Sequence, residues 1–155
     1  MNNYEKKLVE FIHKNHINAE HLVFQTSCHS VEEAASSANA SPEDFVKNVC
    51  IINETDNSLI VCIIPGHKKL DLKKLAAKVG TKKLRFATAE EILQKTGYSM
   101  GGTPSVGYTA KFFIDPTVLT KTIIYSGGGS KNALTKIAPL EMIKFNSAEK
   151  ADLVK

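Results

Sequence analysis

Two apolar runs separated by a turn constrain this chain more than any other feature. Residues 45–53 (FVKNVCIIN) and 59–65 (LIVCIIP) are almost continuously apolar. Side chains along a strand alternate between two faces, so such runs belong in a sheet that is covered on both sides. Thr55, Asp56, Asn57 and Ser58 supply turn chemistry between them. The pair is therefore expected to form a buried antiparallel hairpin. One residue fits poorly. Lys47 falls in phase with Phe45, Val49 and Ile51, and lysine is among the least buried residue types. Its stem can pack while the ammonium escapes at the strand end. Alternatively, the ammonium lines a pocket and meets an anion or a polarised oxygen. The strand by itself leaves both readings open.

The remaining chain mixes helices and strands without strict alternation. Tyr4, Leu8, Phe11 and Ile12 recur at helical spacing, which predicts a helix over roughly residues 3–15. Residues 21–26 (HLVFQT) read as a strand. Ser30 and Glu33 form a capping-box pattern, as do Thr88 and Glu91. Ser41-Pro42 opens a short helical turn. Asp71 caps a helix whose buried stripe is Leu72, Leu75, Ala76 and Val79, and Gly80 ends it. Residues 84–87 and 111–115 (KFFID) are short strands. Residues 122–126 and 132–137 are hairpin partners across Gly127, Gly128 and Gly129. A final helical turn at 139–143 precedes a polar tail at 147–155. This pattern predicts an α+β fold: a curved, mixed, largely antiparallel sheet or a partly closed barrel, flanked by helices. A length of 155 residues fits a single domain over 1–155.

The stretch 96–107 (TGYSMGGTPSVG) stands apart. It carries four glycines, a proline and several small hydroxyl residues. Gly101, Gly102 and Gly107 permit backbone angles and close approaches closed to other residues, and Pro104 holds Thr103 extended. A tightly turned loop with free N–H groups is expected. It reads either as a surface turn or as the wall of a binding site.

Motif searches remove several chemistries. Ser105 lacks the glycine spacing of a nucleophile elbow. The segment Gly127-Gly128-Gly129-Ser130-Lys131 lacks the order of a P-loop. Cys28, Cys50 and Cys62 are the three cysteines, an odd number with no C-x-x-C spacing. They suggest neither a disulfide framework nor a metal site. Cys50 and Cys62 read as core residues. Cys28-His29 leaves a thiol enzyme as one alternative. The opening segment does not resemble a signal peptide and no run is long enough to span a bilayer, so a cytoplasmic protein without membrane attachment is expected. Net charge is +4. Lysines gather at Lys68, Lys69, Lys73, Lys74, Lys78, Lys82 and Lys83, as a solvated helix face or as a surface that follows phosphates.

Taken together, Lys47, the segment Leu70-Asp71-Leu72-Lys73-Lys74-Leu75, Thr96-Gly97-Tyr98 with Gly101-Gly102 and Gly107, and Ile124-Tyr125-Ser126-Gly127-Gly128 resemble the YbaK/EbsC family. These are freestanding relatives of the editing domain of bacterial prolyl-tRNA synthetases. The resemblance runs over roughly residues 21–145. It implies a deacylase that hydrolyses the ester of mischarged aminoacyl-tRNA, Cys-tRNA(Pro) or Ala-tRNA(Pro), with assistance from the substrate's own groups and with no cofactor or metal. Lys47 would be the functional residue. Asn48, Gly101, Gly102, Thr103, Pro104, Ser105, Gly107, Ser126, Gly127 and Gly128 would shape the substrate pocket. Lys68, Lys69 and Lys73 would face the tRNA. Mischarged tRNA is the implied partner, and prolyl-tRNA synthetase a second. A tRNA- or nucleotide-binding module without catalysis would use the same pocket. Two positions depart from the family pattern: Ser105 stands where proline is common, and Asn48 where cysteine-directed members carry threonine.

Overall fold

The computed structural model describes residues 1–25 and 31–155. The expected hairpin is its centre. Strand β2 (Val46–Asn53) pairs antiparallel with β3 (Ser58–Pro65), Lys47 lying opposite Ile64. The turn closes where Asp56 accepts the Ser58 amide at 3.0 Å and Asn57 takes a positive φ of 60°. Each strand face meets its own apolar layer. Val46, Cys50, Ile52, Val61 and Ile63 join one cluster with Leu8, Ile12 and Met142. Val49, Ile51, Ile60, Cys62 and Ile64 join another with Leu75, Phe113 and Leu153. Burial on both sides explains the continuous apolar reading.

Two sheets are formed. The first has the order β4-β2-β3-β5-β8, with β4 at Leu84–Phe86, β5 at Lys111–Ile114 and β8 at Glu149–Lys150. The β3–β5 and β5–β8 pairs are parallel, so this sheet is mixed. The second is antiparallel, β1-β7-β6, with β1 at Ala19–Val23, β7 at Ala133–Ile137 and β6 at Ile124–Gly127. The predicted β6–β7 hairpin is present, with Ser126 opposite Thr135. The sheets touch through one parallel bridge, Phe45 to Tyr125, and their rings stack at 4.8 Å. They do not close into a barrel.

Helices cover the sheets: α1 (Asn3–Lys14), α2 (Val31–Ala38), α3 (Leu72–Val79), α4 (Ala89–Thr96), α5 (Pro116–Leu119) and α6 (Pro139–Asn146). None is long and apolar enough to cross a membrane among the described residues. The sequence's caps are in place. Asp71 accepts the Lys73 amide at 2.9 Å, and Gly80 ends α3 at φ +90°. Thr88 and Glu91 form the expected capping box on α4. The Ser30 cap and the Cys28-His29 pair lie outside the described residues.

Two expectations need correction. The polar tail is not a tail: Ala151 and Leu153 are buried in the second apolar cluster, and β8 extends the five-stranded sheet. Asp115, expected as the last residue of a strand over 111–115, lies just past β5. Asp115 caps α5 by accepting the Thr117 amide at 3.0 Å.

Arg85 on β4 grips Glu91 with two hydrogen bonds, at 2.7 and 2.8 Å. These bonds, and then the Thr88 amide, pull the Glu91 carboxyl down to about 2. A depressed carboxyl stabilises the fold fully above its unfolded value of about 4.3, and that contribution fades as pH falls towards 2. Wild type and Glu91→Gln should therefore differ in Tm at neutral pH, and the difference should shrink between about pH 4 and pH 2. A constant difference down to pH 2 would refute this account.

Candidate functional site

A pocket of about 500 Å³ opens where β2 and β6 diverge. Its lining includes Phe45 just before β2, Lys47 and Asn48 from β2, Gly66 and His67 from the turn after β3, and Met100, Gly101 and Thr103 from the glycine loop. Tyr125, Ser126 and Gly127 come from β6. Strands close to each other in space but distant in sequence thus build one cleft at the junction of two sheets. Ligand sites commonly form at such junctions.

Lys47 resolves its ambiguity by doing both things. The side chain is exposed at the start of β2, as snorkelling predicts, and it also lines the pocket. Among the described residues its ammonium has no hydrogen bond or ion pair. Partial desolvation, and secondarily the nearby Lys69, hold its pKa below the ordinary lysine value. An ammonium without a counter-ion in a cleft is available to an incoming anion or a polarised oxygen.

The loop is more firmly held than its composition suggests. Thr96 is the last residue of α4, and Gly97 is its left-handed cap at φ +79°. Tyr98 and Val106 are buried in the core, which the sequence reading missed. The Thr96 hydroxyl donates to the Ile92 carbonyl at 2.6 Å and accepts the Tyr98 amide at 3.0 Å. The Tyr108 hydroxyl donates to the Pro104 carbonyl at 2.7 Å. Between these anchors Gly101 takes φ +92°. The N–H groups of Gly101 and Thr103 have no partner among the described residues, and both residues line the pocket.

The second glycine cluster locks against the first. The Gly129 amide donates to the Gly102 carbonyl at 2.8 Å. A Cβ on Gly127 would collide with the Thr103 carbonyl. Because that obstacle is backbone, Gly127→Ala should push the loop away from β6. A cost of about 1–3 kcal/mol is expected, read as a lowered midpoint in urea unfolding. An unchanged midpoint would show that the loop yields freely.

Not every residue expected in the pocket is there. Lys47, Asn48, Gly101, Thr103, Ser126 and Gly127 line it. Gly102, Pro104, Ser105, Gly107 and Gly128 are not among its lining residues, although the Ser105 hydroxyl bonds to the lining residues Asn48 and Ser126. Lys68 and Lys69 are exposed on the turn beside His67. Lys73 lies on α3, beside a separate apolar depression. Lys74 pairs with Asp152 at 3.1 Å and Lys78 with Glu149 at 2.6 Å, so the lysine cluster is not a uniform free surface. Sequence reasoning also overlooked Phe45, His67 and Tyr125 as lining residues. The signal for Phe45 was present, because it shares a strand face with Lys47. The thiols of Cys50 and Cys62 are buried, and burial pushes them up to about 11 and about 12. Among the described residues no group of three or more His, Cys, Asp or Glu side chains is placed to hold a metal ion.

Comparison with known proteins places this geometry in context. The model of the aminoacyl-tRNA editing domain family matches residues 25–145. The chain is 26% identical over 129 residues to the "Putative Cys-tRNA(Pro)/Cys-tRNA(Cys) deacylase EbsC" of Enterococcus faecalis, covering 80% of this chain and 76% of that one. It is 30% identical over 103 residues to the proline–tRNA ligase of Thermodesulfovibrio yellowstonii, covering 66% of this chain and 18% of the ligase. Among solved structures, "a putative trans-editing enzyme for prolyl tRNA synthetase" superposes with a TM-score of 0.92 at 25% identity, over 100% of this chain and 99% of that one.

Proposed function

The chain belongs to the aminoacyl-tRNA editing domain family, in its YbaK/EbsC group, and from that premise we propose that it is a trans-editing deacylase, one editing domain over 1–155, which hydrolyses the ester of mischarged aminoacyl-tRNA. One observation carries the reading: among the described residues, a lysine ammonium without a counter-ion and two loop residues with unpartnered N–H groups line a single small cleft.

Ester hydrolysis builds negative charge on the carbonyl oxygen. Fixed N–H donors and a nearby ammonium stabilise that charge most where water is partly excluded. Gly101 and Thr103 supply the donors. Lys47 supplies the ammonium, aimed at the carbonyl oxygen or at the terminal phosphate of the acceptor end. The attacking group comes from the substrate. The vicinal ribose hydroxyl activates a water that adds to the carbonyl carbon, or the thiol of a cysteinyl ester adds to its own carbonyl. In either case the ester C–O bond breaks and the ribose oxygen leaves with a proton. Cys-tRNA(Pro) and Ala-tRNA(Pro) are the substrates proposed. A synthetase pocket separates small side chains by only ~1–3 kcal/mol per methylene, which gives a second hydrolytic sieve its purpose. Lys68 and Lys69, at the pocket rim, are proposed to face the tRNA backbone.

The test is a deacylation panel of Cys-, Ala-, Ser- and Pro-tRNA(Pro). Release of cysteine or alanine, with Pro-tRNA(Pro) spared, supports the reading. Salt-sensitive tRNA binding without release of any amino acid would replace it with a binding module.

A further inference from the structure

The two departures from the family pattern, Asn48 and Ser105, are in direct contact. The Ser105 hydroxyl lies 2.7 Å from Asn48 Oδ1 and 2.6 Å from the Ser126 hydroxyl. Asn48 Nδ2 donates to the Thr103 carbonyl at 2.9 Å and to Ser126 Oγ at 3.2 Å. The directions of these bonds follow from counting hydrogens. The Thr103 carbonyl can only accept, so the Asn48 amide must turn its NH₂ towards it. Its Oδ1 then can only accept, so Ser105 must donate to it. A serine hydroxyl has a single hydrogen. Ser105, having spent that hydrogen, must accept from Ser126. Ser126 in turn accepts from Asn48. The three side chains form a closed ring in which every donor points the same way round.

All donors of the ring are consumed. What Asn48 and Ser126 can still offer the pocket they line is lone pairs. Lys47 and the loop N–H groups offer only donors. We infer that the Asn48–Ser105–Ser126 ring is an acceptor subsite for the α-amino group of the aminoacyl ester, with Ser105 as its positioning residue behind the wall. The polarity matches the ester: its carbonyl oxygen faces the donors, and the neighbouring amine, a donor, faces the ring. Among the described residues the pocket lining holds Lys47 and no carboxylate, and the subsite as assigned receives the amine uncharged. Without the Ser105 hydroxyl the ring opens. The Ser126 hydrogen is then free to turn into the pocket and oppose the amine.

This assignment rests on the deacylase reading, and its test separates the two. Alanyl and cysteinyl minihelices are compared with their deamino counterparts, propionyl and 3-mercaptopropionyl, in wild type, Ser105→Ala and Ser105→Thr. The intrinsic lability of each ester is common to all three proteins and cancels in the comparison. The amino-over-deamino preference in kcat/KM should fall about tenfold in Ser105→Ala, and Ser105→Thr should keep most of it, because it restores the hydroxyl. An equal loss on amino and deamino esters would overturn the subsite and leave Ser105 a structural residue. Turnover of none of the four esters by wild type would remove the deacylase reading and the ligand with it. The ring itself is read apart from activity. In NMR spectra the Ser126 hydroxyl proton should be slow to exchange in wild type and fast in Ser105→Ala, where its acceptor is gone. Fast exchange in wild type would overturn the ring.

Discussion

Replacing Lys47 with alanine is expected to cut ester hydrolysis on mischarged tRNA by about 10²–10³-fold, the scale of losing one preorganised stabiliser of the oxyanion. The fold should be unaffected. Lys47 is exposed and makes no hydrogen bond or ion pair among the described residues, so its removal leaves no buried partner behind. The loss should appear in kcat if the ammonium meets the carbonyl oxygen as charge develops, and in KM if it holds the terminal phosphate throughout. Far-UV circular dichroism and Tm check the fold, and single-turnover deacylation checks the chemistry. Wild-type turnover by Lys47→Ala would end the role proposed for this residue.

The largest loss of stability is expected at a residue far from the pocket. Leu153 is fully buried against Leu70, Leu75 and Phe113. Its carbonyl accepts the amide of Asp71, the residue that caps α3, at 2.7 Å, and its amide donates to the capping residue Asp115 at 3.4 Å. Leu153→Ala should cost about 2–5 kcal/mol, the range for truncating a buried leucine. Chemical denaturation would measure it. A cost below about 1 kcal/mol, the level of a surface change, would mean that the last residues only rest on the sheet.

The contrast between Lys47 and Leu153 shows what the sequence could reveal. The hairpin, the α3 and α4 caps and the phase of Lys47 were legible because each depends on residues within about twenty positions of one another. Residues 147–155 were not. Four apolar residues, Ala148, Ala151, Leu153 and Val154, show neither helical nor strand periodicity among their polar neighbours, and only partners such as Leu70 and Phe113 make Leu153 a core residue. The pocket was legible in part for the same reason. Its two glycine clusters were visible as composition. Their mutual locking through Gly102 and Gly129, and the aromatic stack of Phe45 on Tyr125, are long-range events. Asn48, Ser105 and Ser126 could be named one by one from the resemblance, but the ring they form exists only where three elements meet.

The placement of β8 also sets an order of events during synthesis. Residues 149–150 pair with β5, and the Lys155 amide reaches back to the Lys69 carbonyl. Until those residues emerge from the ribosome, β5 remains an open sheet edge beside a partly uncovered apolar layer, the condition in which nascent chains pair with one another. Contacts across such long stretches of sequence are also slow to form. A chain stalled before residue 147 would therefore already hold all the residues of its pocket while still exposing the surface most prone to aggregate.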